Sequence, residues 1–358
     1  MMDSATQIAM CTYCPKLCRH TCPVSNAEPR ETLIPQAKVA LLGRLRSGET
    51  EPSAAQQAAL YACLGCGACS EFCRHKVEVG ALLFRGRTEA RRDVGDPPAL
   101  ANVESELVER SRKSASELRQ LVPQRRRPVE AQVAFFPGCE APELGPKMLD
   151  IADRVGAEYL GVVDGEHRCG GYPLLAAGDE DAFRRHAARM QHQLRGYAKV
   201  VVHCPQCAFV MKTQYAAYGA PLDCEIEHTT QFLEAFGERL PVEDPQPAAF
   251  WHDPCYLARH LDVYEAPRLL LKRTVKEVYE FSHNRRDTGC CGAGGLVDKT
   301  MPETSRAIAA ERMREPREAG NTRVVTGCSS CRKQLAQAGA EAVDLLDVIH
   351  RATQRKEP

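Results

Sequence analysis

The sequence predicts a protein of mixed α+β and α/β class, in which a helical amino-terminal domain precedes two duplicated α/β modules. Three observations predict this class. Two tight runs of cysteines lie between residues 11 and 73. From about residue 131, short apolar segments alternate with helical patterns. Three motifs in the first half of that region recur in the second half. We expect domains at 1–95, 131–240 and 245–356, with a helix and linker at 96–130.

The overall composition excludes several classes of protein. Lys and Arg number 47 and so do Asp and Glu, so the chain lacks the basic excess typical of nucleic-acid binding. We find no apolar run long enough to cross a membrane. The start, "MMDSATQIAM", lacks the basic and apolar regions of a secretory signal. We therefore expect a cytoplasmic protein, in which 18 clustered cysteines indicate metal binding rather than disulfides.

The cysteine runs of the first domain are "CTYCPKLCRHTCP" and "CLGCGACSEFC". Between them, Val39, Leu42 and Leu45 have helical spacing. After the second run we predict a helix over about 99–111 and then a linker. The three arginines in that linker, at 125–127, are interpreted as solvated, with phosphate or partner binding as the alternative.

Both runs have the spacing of [4Fe–4S] ligands, because short C-x2-C turns place several thiolates around one cube. In two-cluster ferredoxins the fourth cysteine of each run binds the other cluster. A ferredoxin-like domain is therefore predicted. One cluster is assigned to Cys11, Cys14, Cys18 and Cys73, and the other to Cys63, Cys66, Cys69 and Cys22. The first run has one extra residue before Cys18, and Arg74 replaces the usual proline after the second. Two four-cysteine zinc sites are the alternative.

The duplication is visible in three pairs of motifs: "FFPGC" with "WHDPC", "RCGGYPLL" with "CCGAGGLV", and "VVHCPQC" with "VVTGCSSC". The second module contains five cysteines, Cys255, Cys290, Cys291, Cys328 and Cys331. The last two follow a strand and are expected to begin a helix. The first module retains four, Cys139, Cys169, Cys204 and Cys207, because Arg168 stands where an adjacent cysteine would be. Arg168 is expected to stabilise thiolates or an anionic ligand.

The motifs "DPCYL", "CCGAGG" and "GCSSC" resemble those of the cysteine-rich (CCG) iron–sulfur oxidoreductase family. Its members include catalytic heterodisulfide reductase subunits and the iron–sulfur subunits of glycolate oxidase and anaerobic glycerol-3-phosphate dehydrogenase. The resemblance implies that Cys255, Cys290, Cys291, Cys328 and Cys331 bind a noncubane [4Fe–4S] cluster able to split a disulfide, or else zinc. The four-cysteine module would bind a cube or zinc, or serve only packing and docking.

The resemblance also implies a partner, either a FAD-linked dehydrogenase or an electron-transferring flavoprotein. The sequence has no strand–GxGxxG–helix unit, so we expect this chain to bind no dinucleotide itself. The favoured hypothesis is an electron-transfer subunit that connects the flavoprotein with a quinone, reached through a membrane partner, or with a thiol/disulfide. A catalytic disulfide reductase and a zinc-stapled scaffold are the alternatives.

Four further residues near the cysteine motifs are given structural interpretations. Cys224 is expected to be a buried core thiol. His252, beside Cys255, is interpreted as structural, with a supporting contact to the metal site as the alternative. His203 and His167 are interpreted in the same way.

Overall fold

The computed structural model describes residues 2–128 and 130–354, so positions 1, 129, 355 and 356 of the predicted domains lie outside it. The amino-terminal domain is helical, as predicted. Its helices are α1 (Ser4–Thr12), α2 (Pro23–Ala27), α3 (Pro35–Arg46), α4 (Ala54–Tyr61), α5 (Ala68–Glu71) and α6 (Val79–Val94), and α7 (Val103–Leu121) follows in the connecting segment. Val39 and Leu42 of α3 pack with apolar residues of α1, α4 and α6 in one small core.

Helix α7 differs from the helix predicted over 99–111, because it extends to Leu121. Its buried face continues through Ser114, Ala115 and Leu118, which recur at helical spacing. Small polar residues occupy part of this face, so no clear apolar stripe marks the second half of the helix. The predicted end of the helix was wrong.

The interpretation of the arginines at 125–127 as solvated was also wrong for two of them. Arg126 pairs with Asp153 at 3.0 Å, and Arg127 pairs with Asp164. The Arg127 side chain is only 11% exposed, so this part of the linker is held against the first module. Arg125 is exposed.

The first α/β module contains a four-stranded parallel sheet in the order β2-β1-β3-β4. Its strands are β1 (Ala131–Phe136), β2 (Gly161–Val162), β3 (Tyr197–Val202) and β4 (Glu225–His228). Its helices are α8 (Leu144–Arg154), α9 (Tyr172–Ala177), α10 (Glu180–Gln193), α11 (Pro205–Thr213) and α12 (Thr229–Glu234). The central strands end in buried apolar runs, as expected for a parallel sheet covered on both faces.

The second module repeats this topology, with a parallel sheet in the order β6-β5-β7-β8. Its strands are β5 (Ala249–Trp251), β6 (Val278–Glu280), β7 (Arg323–Thr326) and β8 (Glu341–Asp344). Its helices are α13 (Glu265–Thr274), α14 (Val297–Thr300), α15 (Pro302–Arg312), α16 (Arg314–Glu318), α17 (Ser329–Gln337) and α18 (Leu345–Ala352). The equivalent strand order confirms the predicted fold class and the duplication.

The parallel sheets explain why distant cysteines come together. Cys139 and Cys204 follow the ends of β1 and β3, and Cys255 and Cys328 follow the ends of β5 and β7. Because parallel strands have their carboxyl ends at one edge, each module collects its cysteine loops there.

The amino-terminal domain is attached to both modules at the loop that carries its second cysteine run. The fully buried guanidinium of Arg87, on α6, donates to the carbonyl oxygens of Leu60, Tyr61, Cys63, Ala176 and Gly295. Gly295 and Gly294 approach this loop closely. A Cβ at Gly295 would lie 2.0 Å from the Cys63 carbonyl oxygen, so only glycine fits there.

Candidate metal centres

The first four-cysteine set lies at the surface of the amino-terminal domain. Cys11 is near the end of α1, Cys14 and Cys18 lie in the turn that follows, and Cys73 comes after α5. Burial raises the pKa of Cys11 to about 12, and the neighbouring thiols of Cys18, Cys14 and Cys73 contribute to the rise. Cys11 is buried, whereas the other three thiols are partly exposed. The residues assigned to the first cluster are therefore neighbours in space.

The second set lies deeper. Cys22, Cys63, Cys66 and Cys69 line one small cavity. Burial raises the pKa of Cys69, and the nearby thiols of Cys22, Cys63 and Cys66 raise it further. The backbone N–H of Gly65 donates to Cys63 Sγ at 3.4 Å, the kind of contact that also stabilises cluster sulfur. Cys22 thus lies beside the second run as well as near Cys18 of its own run, and the exchange of fourth cysteines stays a prediction.

The five cysteines of the second module form one continuous group of buried thiols. The thiols of Cys255 and Cys291 are neighbours of Cys290, and those of Cys291 and Cys328 are neighbours of Cys331. The Sγ atoms of Cys291 and Cys331 are 3.0 Å apart. Cys328 caps the amino terminus of α17, where the helix dipole favours a thiolate. Hydrogen bonds from Cys290 and Cys331 hold the pKa of Cys291 below its usual value.

Buried donors without partners surround these five thiols. His252 Nε2 and one terminal nitrogen each of Arg259 and Arg312 have no hydrogen-bond partner. A ligand atom of His252 lies within 4.8 Å of those of Cys291 and Cys331. Orphaned buried N–H groups are costly, and an anionic iron–sulfur cluster held by the thiols would give them acceptors. The residues therefore fit such a cluster. His252 Nδ1 accepts from Arg312 Nε at 3.2 Å, which agrees with its structural interpretation, and its supporting contact to a metal site stays a prediction.

The second cysteine set and the second module are in direct contact. Cys66 and Cys290 are neighbours, and the Cys290 thiol together with burial raises the pKa of Cys66. Arg259 Nε donates to the Cys66 carbonyl oxygen at 2.7 Å, and the His260 ring contacts the Gly65 carbonyl oxygen at 2.8 Å. No signal in the sequence predicted this junction, since its halves are more than 190 positions apart.

The first module also brings its four cysteines together. The thiols of Cys139 and Cys207 are neighbours of Cys169, and the thiol of Cys204 is a neighbour of Cys207. The backbone N–H of Gly170 donates to Cys207 Sγ at 3.1 Å. These thiols line a cleft that is closed on its other side by residues 293–299 and 329–330 of the second module. Four adjacent thiols suit either a cube or a zinc ion.

The positive charge beside this site comes from Arg110 of α7, which the sequence did not indicate. Burial alone would lower the pKa of Arg110, but Cys139, Cys169 and Glu140 raise it above its usual value. Burial lowers the pKa of Arg168, while Asp164 and the nearby Cys139 thiol act in the opposite direction. The expectation that Arg168 stabilises thiolates or an anionic ligand therefore stays a prediction. The Arg168 guanidinium is buried over the Phe136 ring, and it donates to the Val163 carbonyl oxygen at 2.7 Å.

The remaining candidates have structural surroundings. Cys224 is buried before β4 in the main core, as predicted. His203 Nε2 lies 3.0 Å from an Asp344 oxygen and so connects the two modules. His167 contacts the ring of His186 edge to face.

The structure joins a helical domain, which carries two interleaved cysteine runs, to two tandem α/β modules with thiol groups at their sheet edges. This combination defines a class of iron–sulfur protein. Comparison with known families agrees. The cysteine-rich domain family matches residues 133–212 and 249–336, and the 4Fe-4S dicluster domain family matches residues 7–77. The chain therefore belongs to the cysteine-rich (CCG) iron–sulfur oxidoreductase family, which confirms the resemblance inferred from its motifs.

Several curated proteins are similar over much of this chain. A subunit of the fumarate reductase (CoM/CoB) of Methanothermobacter marburgensis is 25% identical over 81% of this chain and 60% of its own length. A subunit of the dihydromethanophenazine:CoB–CoM heterodisulfide reductase of Methanosarcina barkeri is 29% identical over 58% of this chain and 54% of its own length. The EtfAB:quinone oxidoreductase of Syntrophomonas wolfei is 24% identical over 80% of this chain and 48% of its own length.

The chain thus spans 60% or less of the length of these three relatives. Among residues 2–128 and 130–354, no helix is both long and apolar enough to cross a lipid bilayer.

Proposed function

We propose that this chain is the iron–sulfur electron-transfer subunit of a flavin-dependent oxidoreductase complex. The observation that carries the proposal is the continuous series of thiol groups through the molecule. It begins at the partly exposed Cys18 and Cys73, continues to the second set, in which Cys22 and Cys66 are buried, and passes from Cys66 to the neighbouring thiol of Cys290. A [4Fe–4S] cluster accepts or donates one electron at a time, so clusters in such a series would conduct electrons from the surface to the second module.

We assign the ligands as the spacing and the thiol contacts suggest. Two cubes would use the two interleaved sets: Cys11, Cys14, Cys18 and Cys73 for one, and Cys63, Cys66, Cys69 and Cys22 for the other. A third cluster, of the noncubane kind, or a zinc ion would be bound by the five thiols of the second module. The orphaned donors of His252, Arg259 and Arg312 support an anionic group at this third site. A fourth metal, at Cys139, Cys169, Cys204 and Cys207, is the weakest of these assignments.

We propose a flavoprotein as the electron-exchange partner. The chain has no dinucleotide-binding fingerprint, so the two-electron chemistry of a substrate would take place on another subunit. The name of the Syntrophomonas relative refers to both an EtfAB protein and quinone, which supports a flavoprotein on one side and a quinone on the other. Contact with the inner face of the membrane would then be made through a quinone-reducing partner.

A catalytic disulfide reductase is the second candidate, and a cleft beside Cys290 favours it. The cleft lies between α2 and α15, and its lining includes Arg259, His283 and Arg312. Reduction of a disulfide RS–SR breaks the sulfur–sulfur bond, consumes two electrons and two protons, and releases two thiols. The electrons would arrive singly from the cubes. The Methanosarcina barkeri relative is named as part of a heterodisulfide reductase.

Metal analysis under anaerobic conditions is the first test. With four iron atoms per cluster, two cubes give about 8 iron per chain and a third cluster gives about 12. Zinc with little iron would refute the electron-transfer proposal and favour the zinc-stapled scaffold.

A Cys66→Ser variant tests whether electrons reach the second module by way of Cys66. We expect the outer cube, assigned to Cys11, Cys14, Cys18 and Cys73, to remain reducible. Reduction of the second module by a flavoprotein should slow strongly. Cys224→Ser, which alters a buried thiol outside the groups, is the control. If Cys66→Ser and Cys224→Ser transfer electrons equally fast, the proposed route is wrong. Disulfide turnover with an artificial reductant distinguishes the catalytic candidate, since a pure electron carrier would show none.

A further inference from the structure

An apolar surface surrounds the first four-cysteine set. The described residues include eight large apolar side chains that are exposed, and four of these immediately precede the four cysteines of that set. They are Met10, Tyr13, Leu17 and Phe72. Tyr13 is 89% exposed and Leu17 is 72% exposed. Aromatic and Met side chains are enriched in protein interfaces, and a group of exposed ones indicates a binding surface.

The same surface has a local positive charge, although the chain as a whole has none. Residues 11–20 and 72–76 contain Lys16, Arg19, Arg74 and Lys76 but no Asp or Glu. Arg19 pairs with Glu31, and Lys76 lies 3.7 Å from a Glu71 oxygen. Lys16 and Arg74 have no ion-pair partner among the residues that the structure describes, and both are exposed. The surface therefore keeps two uncompensated cations beside the partly exposed thiols.

The backbone holds two of these lysines in an unusual conformation. Lys16 has φ 66° and Lys76 has φ 51°, in the left-handed region that residues other than glycine seldom adopt. Lys16 lies between Cys14 and Cys18, and Lys76 lies three positions after Cys73. The loops that wrap the first cysteine set thus turn at lysines instead of glycines, which places cationic side chains at the rim of the set.

We propose that this surface, defined by Met10, Tyr13, Leu17, Phe72, Lys16 and Arg74, is the docking site for an acidic electron-carrier protein. This proposal rests on the proposed function, because it assigns the first cluster as the place where electrons enter or leave. An apolar centre with a cationic rim matches a partner whose redox group lies within acidic residues. Complementary charge increases the rate of encounter, whereas the small apolar contact permits rapid dissociation. Weak electron-transfer complexes use small interfaces of this kind.

The experiment uses two carriers of opposite charge and the full chain with its clusters. Reduction by photoreduced flavodoxin, an acidic flavin carrier, is followed by stopped-flow absorbance, as is oxidation by ferricytochrome c, a basic haem protein. The double variant Lys16→Glu/Arg74→Glu should slow the flavodoxin reaction about tenfold at low salt and accelerate the cytochrome c reaction. For the unchanged chain, the flavodoxin rate should fall as salt rises towards about 0.5 M, as charge screening requires.

The matched control is Lys276→Glu/Arg351→Glu, which makes the same change in net charge. Lys276 and Arg351 are exposed and have no ion-pair partner in the described part of the chain. Lys276 lies before β6, at the opposite end of its sheet from the cysteines, and Arg351 is on α18. This control should leave both carrier rates within about twofold.

The outcomes separate this proposal from the function on which it rests. Equal flavodoxin rates for the unchanged chain and the Lys16→Glu/Arg74→Glu variant would overturn the docking site, as would equal slowing in the control. Reduction by dithionite but not by flavodoxin would also overturn it, while leaving electron transfer intact. Clusters that neither dithionite nor a carrier reduces would instead refute the proposed function.

Discussion

Replacement of Arg87 by Met should weaken the attachment of the amino-terminal domain to both modules. The guanidinium is fully buried on α6, and burial lowers its pKa. It donates to carbonyl oxygens near the ends of α4 and α9, at 3.1 Å to Leu60 and 2.6 Å to Ala176. Carbonyls at the end of a helix lack partners within it, and a cation there also interacts favourably with the helix dipole. Met preserves the length of the side chain but removes every donor.

The magnitude follows from the five carbonyl oxygens that Arg87 satisfies. The Tyr61 oxygen also accepts from the Cys63 N–H, so four acceptors would lose their partner. At about 1 kcal/mol for each of them, the loss is about 4 kcal/mol. Removing the guanidinium also relieves the cost of burying its charge, which offsets part of this loss. We therefore expect the Arg87→Met substitution to lower the free energy of unfolding by about 3 kcal/mol. At about 2 °C per kcal/mol for a large chain, the unfolding midpoint should fall by about 6 °C.

The assay is thermal unfolding of the cluster-loaded protein, followed by circular dichroism and by the visible absorbance of the clusters. The control is Arg92→Met on the same helix, since the Arg92 side chain is 71% exposed and its ion pair with Glu180 is long, at 3.7 Å. We expect this control to change the midpoint by less than about 2 °C. Equal midpoints for Arg87→Met and the unchanged chain would refute the reasoning, and so would equal losses in the two variants. Arg87→Lys should fall between them, because an ammonium has fewer donors.

Three further substitutions test other contacts. Gly295→Ala should lower the unfolding midpoint by several degrees more than Gly320→Ala. Both glycines have positive φ, at 58° and 68°. Only a Cβ added at Gly295 would meet another atom, at a distance of 2.0 Å. Similar midpoints would show that the close approach is unimportant. Cys22→Ser should alter the electron paramagnetic resonance signal of the inner cube, the one assigned to Cys63, Cys66, Cys69 and Cys22, and leave the signal of the outer cube unchanged. The reverse pattern would contradict the predicted exchange of Cys22 and Cys73 between the two runs. Asp253→Asn weakens the buried ion pair with Arg268, in which a guanidinium nitrogen lies 2.7 Å from a carboxylate oxygen. The free energy of unfolding in urea should therefore fall by about 3 kcal/mol. An unchanged urea midpoint would contradict this expectation.

Much of the fold class was accessible from local patterns. The alternation of apolar segments and helical periods after residue 131 predicted α/β modules, and the recurring motifs predicted their duplication, which the equal strand orders confirm. The predictions of the helix end and of the solvated linker were wrong because the buried residues in those segments are not conspicuously apolar. Ser114 and Ala115 extend the buried face of α7, and Arg126 and Arg127 pair with acids more than 25 positions away.

The sequence by itself determined the two thiol runs of the amino-terminal domain, because cysteines three or four residues apart on a turn lie close together in any fold. Its recurring motifs indicated the cysteine groups of the two modules. It also indicated that Cys22 and Cys73 exchange runs, although their ligation stays a prediction. Only the tertiary structure decided which groups are neighbours and what surrounds them. The contact of Cys66 with Cys290, and the charges of Arg110 and Arg259 beside the thiols, join segments from different domains. Such contacts depend on how the three parts of the chain pack together, and spacing along the chain carries no information about that packing.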